Sequence, residues 1–193
     1  MKKTKQQGGY TLVEMLVTVA IFGLAFVTIG VIFISTSAAQ ARASSAQRLL
    51  NEGNFILESI TREIRMNAID YSCAPGNYTS NHERICLRSV DGKAIHFRFS
   101  PAAAPGKIQV CTDYDAFPCT LDSQFTSLNP DFLTITKWEF HVYPVLYPLD
   151  VNRGSTEVFQ PITTIVVRME TGTGRSKQAY DLQTAASSRV YNF

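Results

Sequence analysis

A single carboxylate stands at the edge of the most apolar segment of this chain. Glu14 immediately precedes a run from Met15 to Ile34 that contains no charged side chain. At about 1.5 Å per residue, a helix of that length spans roughly 30 Å, which is the hydrocarbon thickness of a bilayer. A carboxylate at the centre of such a helix costs about 2.5–3.5 kcal/mol, and less near its end. Glu14 therefore needs a cationic partner or a position at the water interface.

The orientation of this apolar run follows from the lysines that precede it. Lys2, Lys3 and Lys5 lie on its amino-terminal side. The positive-inside rule places these residues in the cytoplasm and the bulk of the chain, beyond Ile34, outside it. We therefore expect a single-pass protein with an extracytoplasmic carboxyl-terminal domain.

Four cysteines, all beyond the apolar run, offer the second kind of chemistry. They are Cys73, Cys86, Cys111 and Cys119. An even number of cysteines outside the cytoplasm favours disulfides, and three connectivities are open. Sequential pairing, Cys73 with Cys86 and Cys111 with Cys119, closes two short loops and is the default. A four-thiolate metal site is the less favoured alternative, because no two of these cysteines have the two-residue separation that is typical of zinc sites.

Other residues that could support catalysis or bind a metal are scattered. His82, His96 and His141 share no ligand spacing, and the last two fit strand alternation as ordinary face residues. Asp113 and Asp115 could offer oxygen ligands to calcium, but an isolated Asp-x-Asp is common in loops. We find no phosphate-binding loop and no nucleophile motif. The sequence therefore predicts no enzymatic activity, no cofactor and no metal.

The composition indicates one folded domain behind the apolar run. Of the 193 residues, 45% are hydrophobic and 18% are charged, which excludes a disordered or fibrous chain. Without the three leading lysines, 15 basic side chains face 16 acidic ones, although the whole chain has a net charge of +2. This balance gives no argument for nucleic-acid binding, and it leaves that question open.

The elements that carry these residues begin with one long helix. Residues 35–46 contain neither Pro nor Gly, so we expect the membrane helix to continue into water. An apolar stripe then follows at helical spacing, formed by Leu50, Leu57, Ile60 and Ile64. Gly53 lies within this stretch and costs about 1 kcal/mol relative to Ala. The helix is predicted to end near residues 67–70 and to pack its stripe on a globular domain.

The remainder of the chain predicts strands. Alternation of apolar and polar residues, together with β-branched and aromatic runs, favours six of them, with Asp91-Gly92 as a turn. Their expected ranges are 85–90, 94–99, 107–111, 132–145, 161–170 and 178–186. Residues 71–83 and 113–130 are predicted to be mainly loop. The fold class is therefore α+β: a long amino-terminal helix, half in the membrane and half amphipathic, packed on a largely antiparallel sheet.

The order Gly9, Tyr10, Thr11-Leu12-Val13, Glu14 resembles the class III prepilin signal of type IV pilins and type II secretion pseudopilins. That signal has a short basic leader, Gly before the cut, an aromatic residue, usually Phe, after it, and Glu at the fifth position of the mature chain. The resemblance implies cleavage between Gly9 and Tyr10 by prepilin peptidase and methylation of the Tyr10 amine. It also implies that Glu14 acts in assembly, paired with a Tyr10 amine.

The leader itself agrees with that resemblance on physical grounds. A secretory signal peptide places its apolar region before the cut and loses it, whereas here no apolar region precedes Gly9. Cleavage there leaves the membrane helix on the mature protein. The resulting segments are a leader (residues 1–9), a transmembrane and assembly helix (10–34), an amphipathic continuation (35–70) and a β-rich domain (71–193).

Within the pilin-like group, three features resemble minor pilins and J-type pseudopilins. They are the absence of Pro between Tyr10 and Ala74, the helical stretch 57–65 and the closing stretch 182–192. The resemblance implies a structural minor subunit of a type IV pilus, a type II secretion pseudopilus or a DNA-uptake filament. Its expected partners are prepilin peptidase, other pilins or pseudopilins, the inner-membrane assembly platform and membrane lipid.

The expected location is the bacterial inner membrane and then the filament. The alternative is a membrane-anchored binding domain or enzyme that never polymerises, and cleavage after Gly9 distinguishes the two.

Overall fold

The computed structural model describes residues 9–73, 82–100, 106–113, 119, 121–148, 160–172 and 177–189. The chain divides into two compact units, residues 1–44 and 45–193. Helix α1 (Leu12–Met66) is 55 residues long and contributes to both units. All but one of its described residues before position 45 are exposed, and Gly30 is half-buried.

Helix α1 ends earlier than the predicted residues 67–70. The backbone N–H of Asn67 donates to the Glu63 carbonyl at 3.1 Å, and the Asn67 side-chain amide donates to the same oxygen at 2.8 Å. Residues Ala68–Ile69 already form the first strand, β1. The amphipathic segment expected over 35–70 is therefore helical only to Met66, because its last residues pair with a strand instead.

Two antiparallel sheets follow α1. The first has the order β1-β2-β3-β4-β5 and the second has the order β6-β7-β8. A short 3₁₀ helix, Asp122–Gln124, precedes β5. The strands after β1 are β2 (Arg84–Arg88), β3 (Ala94–Ser100), β4 (Lys107–Asp113), β5 (Thr126–Ser127), β6 (Thr134–Tyr143), β7 (Ile162–Thr171) and β8 (Gln178–Ser187).

The predicted α+β class is confirmed, and the longer strands lie close to their predicted ranges. Gly92, in the predicted turn between β2 and β3, has a φ of 82°, which favours glycine over other residues. Strand β3 differs from the prediction of one buried and one exposed face. Ala94 to Phe97 are all buried, and His96 is only 3% exposed rather than an ordinary face residue.

One hydrophobic core joins the carboxyl-terminal part of α1 to both sheets. Three residues of the predicted stripe, Leu57, Ile60 and Ile64, are buried, whereas Leu50 is only half-buried and Leu49 is buried instead. Gly53, which the prediction counted only as a weak helical position, is also buried. The sheets contribute Ile85, Leu87, Phe97, Ile108, Leu133, Ile135, Trp138, Phe140, Val142, Ile165, Val167 and Met169.

Several predictions fall outside the described residues. These are the leader up to Gly8, the loop at Pro75-Gly76-Asn77, Asp115 of the Asp-x-Asp pair, and the end of the closing stretch at residues 190–192.

Candidate processing and assembly site

Gly9 and Tyr10 precede α1 in non-helical conformation and are exposed. A Cβ added to Gly9 would meet nothing within 4 Å, and its φ lies outside the left-handed region. The folded chain therefore places no requirement for glycine at this position. A protease that binds an extended backbone in a narrow cleft supplies such a requirement, because glycine has no side chain to obstruct it.

Thr11 caps the amino terminus of α1, a role that the sequence reasoning missed. The Glu14 backbone N–H donates to Thr11 Oγ1 at 3.3 Å, and the Met15 N–H donates to the Thr11 carbonyl at 3.2 Å. A threonine followed three residues later by glutamate is the sequence pattern of a capping box, and that signal was present at Thr11 and Glu14. The helix therefore begins two residues after the predicted cut.

Glu14 lies in the first turn of α1, where a negative charge stabilises the partial positive charge of the helix amino terminus. No described basic side chain forms an ion pair with it. Its neighbours along the helix are exposed apolar side chains, with Leu12 80% and Val13 69% exposed. The Glu14 carboxylate therefore has no ionic partner among the described residues of this chain. It is exposed and can pair with a cation from another chain.

The first part of α1 presents apolar side chains in every direction. Among the described residues, α1 is the one helix long and apolar enough to cross a membrane, and its most apolar part is not buried. A helix that is apolar all round is suited to lipid or to a bundle of like helices. The exposed side chains include Leu16, Val19, Phe22, Leu24, Phe26, Ile29, Val31, Phe33 and Ile34.

The hydroxyl groups within this apolar part are satisfied by the helix itself. Thr18 Oγ1 donates to the Met15 carbonyl at 2.9 Å, and Thr28 Oγ1 donates to the Ala25 carbonyl at 2.8 Å. Ser35 Oγ donates to the Ile32 carbonyl at 2.9 Å. Since lipid offers no hydrogen-bond partner, these internal bonds make the three side chains compatible with a membrane interior.

Comparison with known protein families bears on this same segment. A family model described as the prokaryotic N-terminal methylation motif matches residues 4–30. The chain carries a prokaryotic N-terminal methylation motif. The match includes Gly9, Tyr10 and Glu14 and extends into the exposed apolar part of α1. Searches of curated proteins and of solved structures found no match.

The four cysteines form two disulfides, Cys73–Cys86 and Cys111–Cys119, which is the sequential pairing. Cys111 and Cys119 pack with Phe125 in a small buried cluster apart from the main core. The first disulfide joins Cys73, which precedes β2, to Cys86 within β2. The second joins Cys111 within β4 to Cys119, which follows β4.

One group of potential metal ligands surrounds the first of these bridges. The two sulfur atoms of Cys73 and Cys86 and a ring nitrogen of His96 lie within 4.8 Å of one another. His96 Nε2 is 3.6 Å from Cys73 Sγ. Thiolate, not disulfide sulfur, is the metal ligand of cysteine, so this trio could bind a metal only after reduction.

The other candidate residues do not converge on the amino-terminal segment. His82 lies close to His141 of β6, with ring centroids 4.6 Å apart. Their proximity was not predicted, because 58 residues separate them in the sequence and no shared motif links them. Asp113 is the last residue of β4, and Asp115, the other member of the Asp-x-Asp pair, lies outside the described residues.

Proposed function

We propose that this chain is a prepilin-type subunit that prepilin peptidase cleaves between Gly9 and Tyr10 and that assembles into a filament through α1. The observation that carries the proposal is the methylation motif over residues 4–30, combined with the exposure of the apolar side chains between Leu12 and Ile34. The described fold does not require glycine at position 9, because an added Cβ would meet no other atom there. Cleavage after this residue explains the glycine.

Cleavage changes the charge at the start of α1. It creates an ammonium group on Tyr10, and methylation of that amine preserves the positive charge. Tyr10 and Glu14 are four residues apart, but Tyr10 precedes the first helical residue, Leu12, so helical spacing does not bring its ammonium to Glu14 of the same chain. In a bundle of such helices, the Glu14 carboxylate pairs instead with the Tyr10 ammonium of a neighbouring subunit, away from water, where an unpaired charge is costly.

Assembly then moves the apolar part of α1 from lipid into a bundle of like helices. The side chains exposed between Leu12 and Ile34 have apolar surroundings before and after this transfer, because lipid and a helix bundle are both apolar. The internally bonded hydroxyls of Thr18 and Thr28 remain satisfied in both settings. The charge pair at Glu14 supplies what apolar contacts lack, which is a fixed register between neighbours.

The helical architecture supports a minor pilin or a J-type pseudopilin within this class. Residues Leu12–Met66 form one helix that contains no proline. The filament is a type IV pilus, a type II secretion pseudopilus or a DNA-uptake filament, and the assembly platform of the inner membrane is the expected partner. The presence of Glu14 favours a subunit that has a neighbour on its tip side.

The proposal is tested in the cell of origin by following the chain in membranes and in filaments sheared from the surface or recovered from the periplasm. We expect the cleaved chain in the filament fraction at a small ratio to a more abundant pilin-like protein. The Gly9→Val variant is the matched control, since it should keep its leader and remain in the membrane. A cleaved chain found only in membranes would support a non-polymerising anchored protein instead.

A further inference from the structure

The carbonyl group at the proposed cut lies just outside the hydrogen-bond ladder of α1. The Met15 N–H donates to the Thr11 carbonyl at 3.2 Å. Among the residues that the structure describes, none donates a hydrogen bond to the carbonyl of Gly9 or of Tyr10. Hydrolysis after Gly9 adds water to the Gly9 carbonyl carbon and breaks its bond to the Tyr10 nitrogen, which leaves a carboxyl group and an amine. The carbonyl that must react is therefore free.

Thr11 determines where this ladder begins. Its Oγ1 accepts a hydrogen bond from the Glu14 N–H at 3.3 Å, which is the bond from an N-cap residue to the third helical residue. An N-cap residue keeps a non-helical backbone, and its own carbonyl is the first to accept an intrahelical bond. Residues 9–11 are accordingly non-helical, and α1 begins at Leu12.

Without a capping oxygen at position 11, the helix has two alternative starts. Gly is an acceptable N-cap residue beside Ser, Thr, Asn and Asp, and the nearest such residues are Gly9 upstream and Thr18 downstream. A start at Thr18 would remove helical hydrogen bonds from residues 12–17 beside lipid, where an unsatisfied backbone group is costly. A start at Gly9 adds two residues to the helix and loses no backbone bond, so it is the favoured alternative.

A helix capped by Gly9 engages the carbonyl that must react. The Gly9 carbonyl would accept the first intrahelical bond, which comes from the Val13 N–H four residues later. Tyr10 would then be the first helical residue. A peptidase that binds its substrate as an extended backbone would have to break this bond before water could attack the carbonyl carbon.

We infer that Thr11 is a positioning residue for removal of the leader. Its cap starts α1 at Leu12 and thereby keeps the Gly9 carbonyl free for prepilin peptidase. This inference rests on the proposed cleavage between Gly9 and Tyr10. It assigns the effect to the oxygen atom of the Thr11 side chain and not to the shape of that side chain.

The test measures the rate of leader removal from the full uncut chain in detergent micelles by the prepilin peptidase of the cell of origin. Thr11→Val keeps the shape of the side chain and loses the oxygen, whereas Thr11→Asn changes the shape and keeps a capping oxygen. Well below KM, Thr11→Val should be cut about fivefold more slowly, because a lost cap costs about 1 kcal/mol and about 1.36 kcal/mol corresponds to a factor of ten. Thr11→Asn should be cut at the unmutated rate to within about twofold. All chains should reach the same product with time.

Thr18→Val is the matched control. Thr18 is also a threonine of α1, and its Oγ1 donates to the Met15 carbonyl at 2.9 Å. The substitution therefore removes a hydroxyl group from the helix and leaves the cap in place. This variant should be cut at the unmutated rate.

A second measurement locates the start of the helix without the peptidase. Backbone chemical shifts of the uncut chain in micelles should place Tyr10 outside the helix in the unmutated chain and in Thr11→Asn, and inside it in Thr11→Val. An unmutated rate in Thr11→Val, equally slow cutting of Thr11→Asn and Thr11→Val, or an unchanged Tyr10 shift in Thr11→Val would overturn the role of the cap and leave the proposed cleavage intact. Failure of the peptidase to cut the unmutated chain would contradict the proposed function and this inference with it.

Discussion

Glu14 has one observed role at the start of α1 and one proposed role. Its backbone N–H donates to Thr11 Oγ1, a bond that glutamine at this position would keep, and its negative charge favours the helix amino terminus by about 0.3–1 kcal/mol. The proposed pairing with a Tyr10 ammonium requires the carboxylate and involves a larger free energy. A substitution that keeps the shape and removes the charge therefore tests the proposed pairing.

The Glu14→Gln variant should insert and be cleaved normally, because neither step needs the carboxylate and glutamine is easier to place in lipid. Its incorporation into filaments should fall strongly, since removing one partner of a buried charge pair costs about 3–5 kcal/mol. The amounts of tagged chain in membrane and sheared-filament fractions give the readout. Thr11→Ala is the control: it loses a cap worth about 1 kcal/mol but keeps the pair. Normal incorporation of Glu14→Gln would refute pairing.

Asp70 provides a residue-scale test of stability against pH. Burial raises the pKa of its carboxyl group, but hydrogen bonds from Ser72 and Arg88 outweigh burial and hold the pKa below its ordinary value. Ser72 Oγ and Arg88 Nη2 lie 2.6 Å and 2.8 Å from the carboxylate oxygens. A lowered pKa contributes stability above the unfolded value of about 3.9, and this contribution is lost as pH falls through the folded value.

We therefore expect Asp70→Asn to reduce the free energy of unfolding at pH 7, and the difference from the unmutated chain to shrink as pH falls below about 4. The single tryptophan, the buried Trp138, reports unfolding in urea by its fluorescence. Asp131→Asn is the control, because that carboxylate pairs with Lys107 but is fully exposed. A difference that stays constant with pH would show that Asp70 acts through packing alone.

At the scale of the element, Gly53 belongs to the buried face of α1, which sequence reasoning did not predict. An added Cβ there would collide with the end of the Met169 side chain, and Leu182 Cδ1 would lie 3.1 Å away. Glycine is conventionally counted as a weak helical position, so the predicted stripe skipped it. In the folded chain the ends of the Met169 and Leu182 side chains, from β7 and β8, occupy the space beside it.

Gly53→Ala should therefore not gain the helix-propensity benefit of about 1 kcal/mol. We expect a net loss of stability, since overpacking a core typically costs about 1–3 kcal/mol. Asn54→Ala, at the next and exposed helical position, is the matched control and should be neutral or slightly stabilising. Urea unfolding gives the free energy of unfolding of both variants. A Gly53→Ala chain more stable than the unmutated one would contradict the close contact of residue 53 with Met169 and Leu182.

The two disulfides predict a simple chemical result. Alkylation of the folded chain before reduction should label none of the four cysteines, and alkylation after reduction and unfolding should label all four. Peptide mapping without reduction should recover Cys73 linked to Cys86 and Cys111 linked to Cys119. Labelling of two or more cysteines in the folded chain would contradict the bridges.

The strands were largely predictable because their signals are local. The alternation in β6 and the β-branched run in β7 marked their ranges to within about two residues. Contacts between residues that are far apart in the sequence were not predictable. The contact of Cys73 Sγ with the buried His96 ring joins residues 23 positions apart, and the proximity of His82 to His141 accompanies the backbone bond between residues 82 and 140.

At the scale of the whole molecule, the two compact units have different surfaces. Residues 9–44 present almost only exposed side chains and carry most of the methylation motif, whereas residues 45–193 contain the core, both disulfides and the sheets. A helical segment whose apolar side chains are exposed within its own chain requires lipid or other helices to cover them. This division is what a subunit needs if it is stored in a membrane and later used in an assembly.

Gly9→Val should block removal of the leader, because a branched side chain obstructs an extended backbone at the cut. That cut is central to the proposed roles of the methylation motif, of Gly9 and of the exposed helix. The direct measurement is the amino-terminal mass of the unmutated protein isolated from its own membranes. We predict a chain that begins at Tyr10 and carries one added methyl group on its amine. A chain that retains Met1 and the residues up to Gly9 would contradict the prepilin-type assignment.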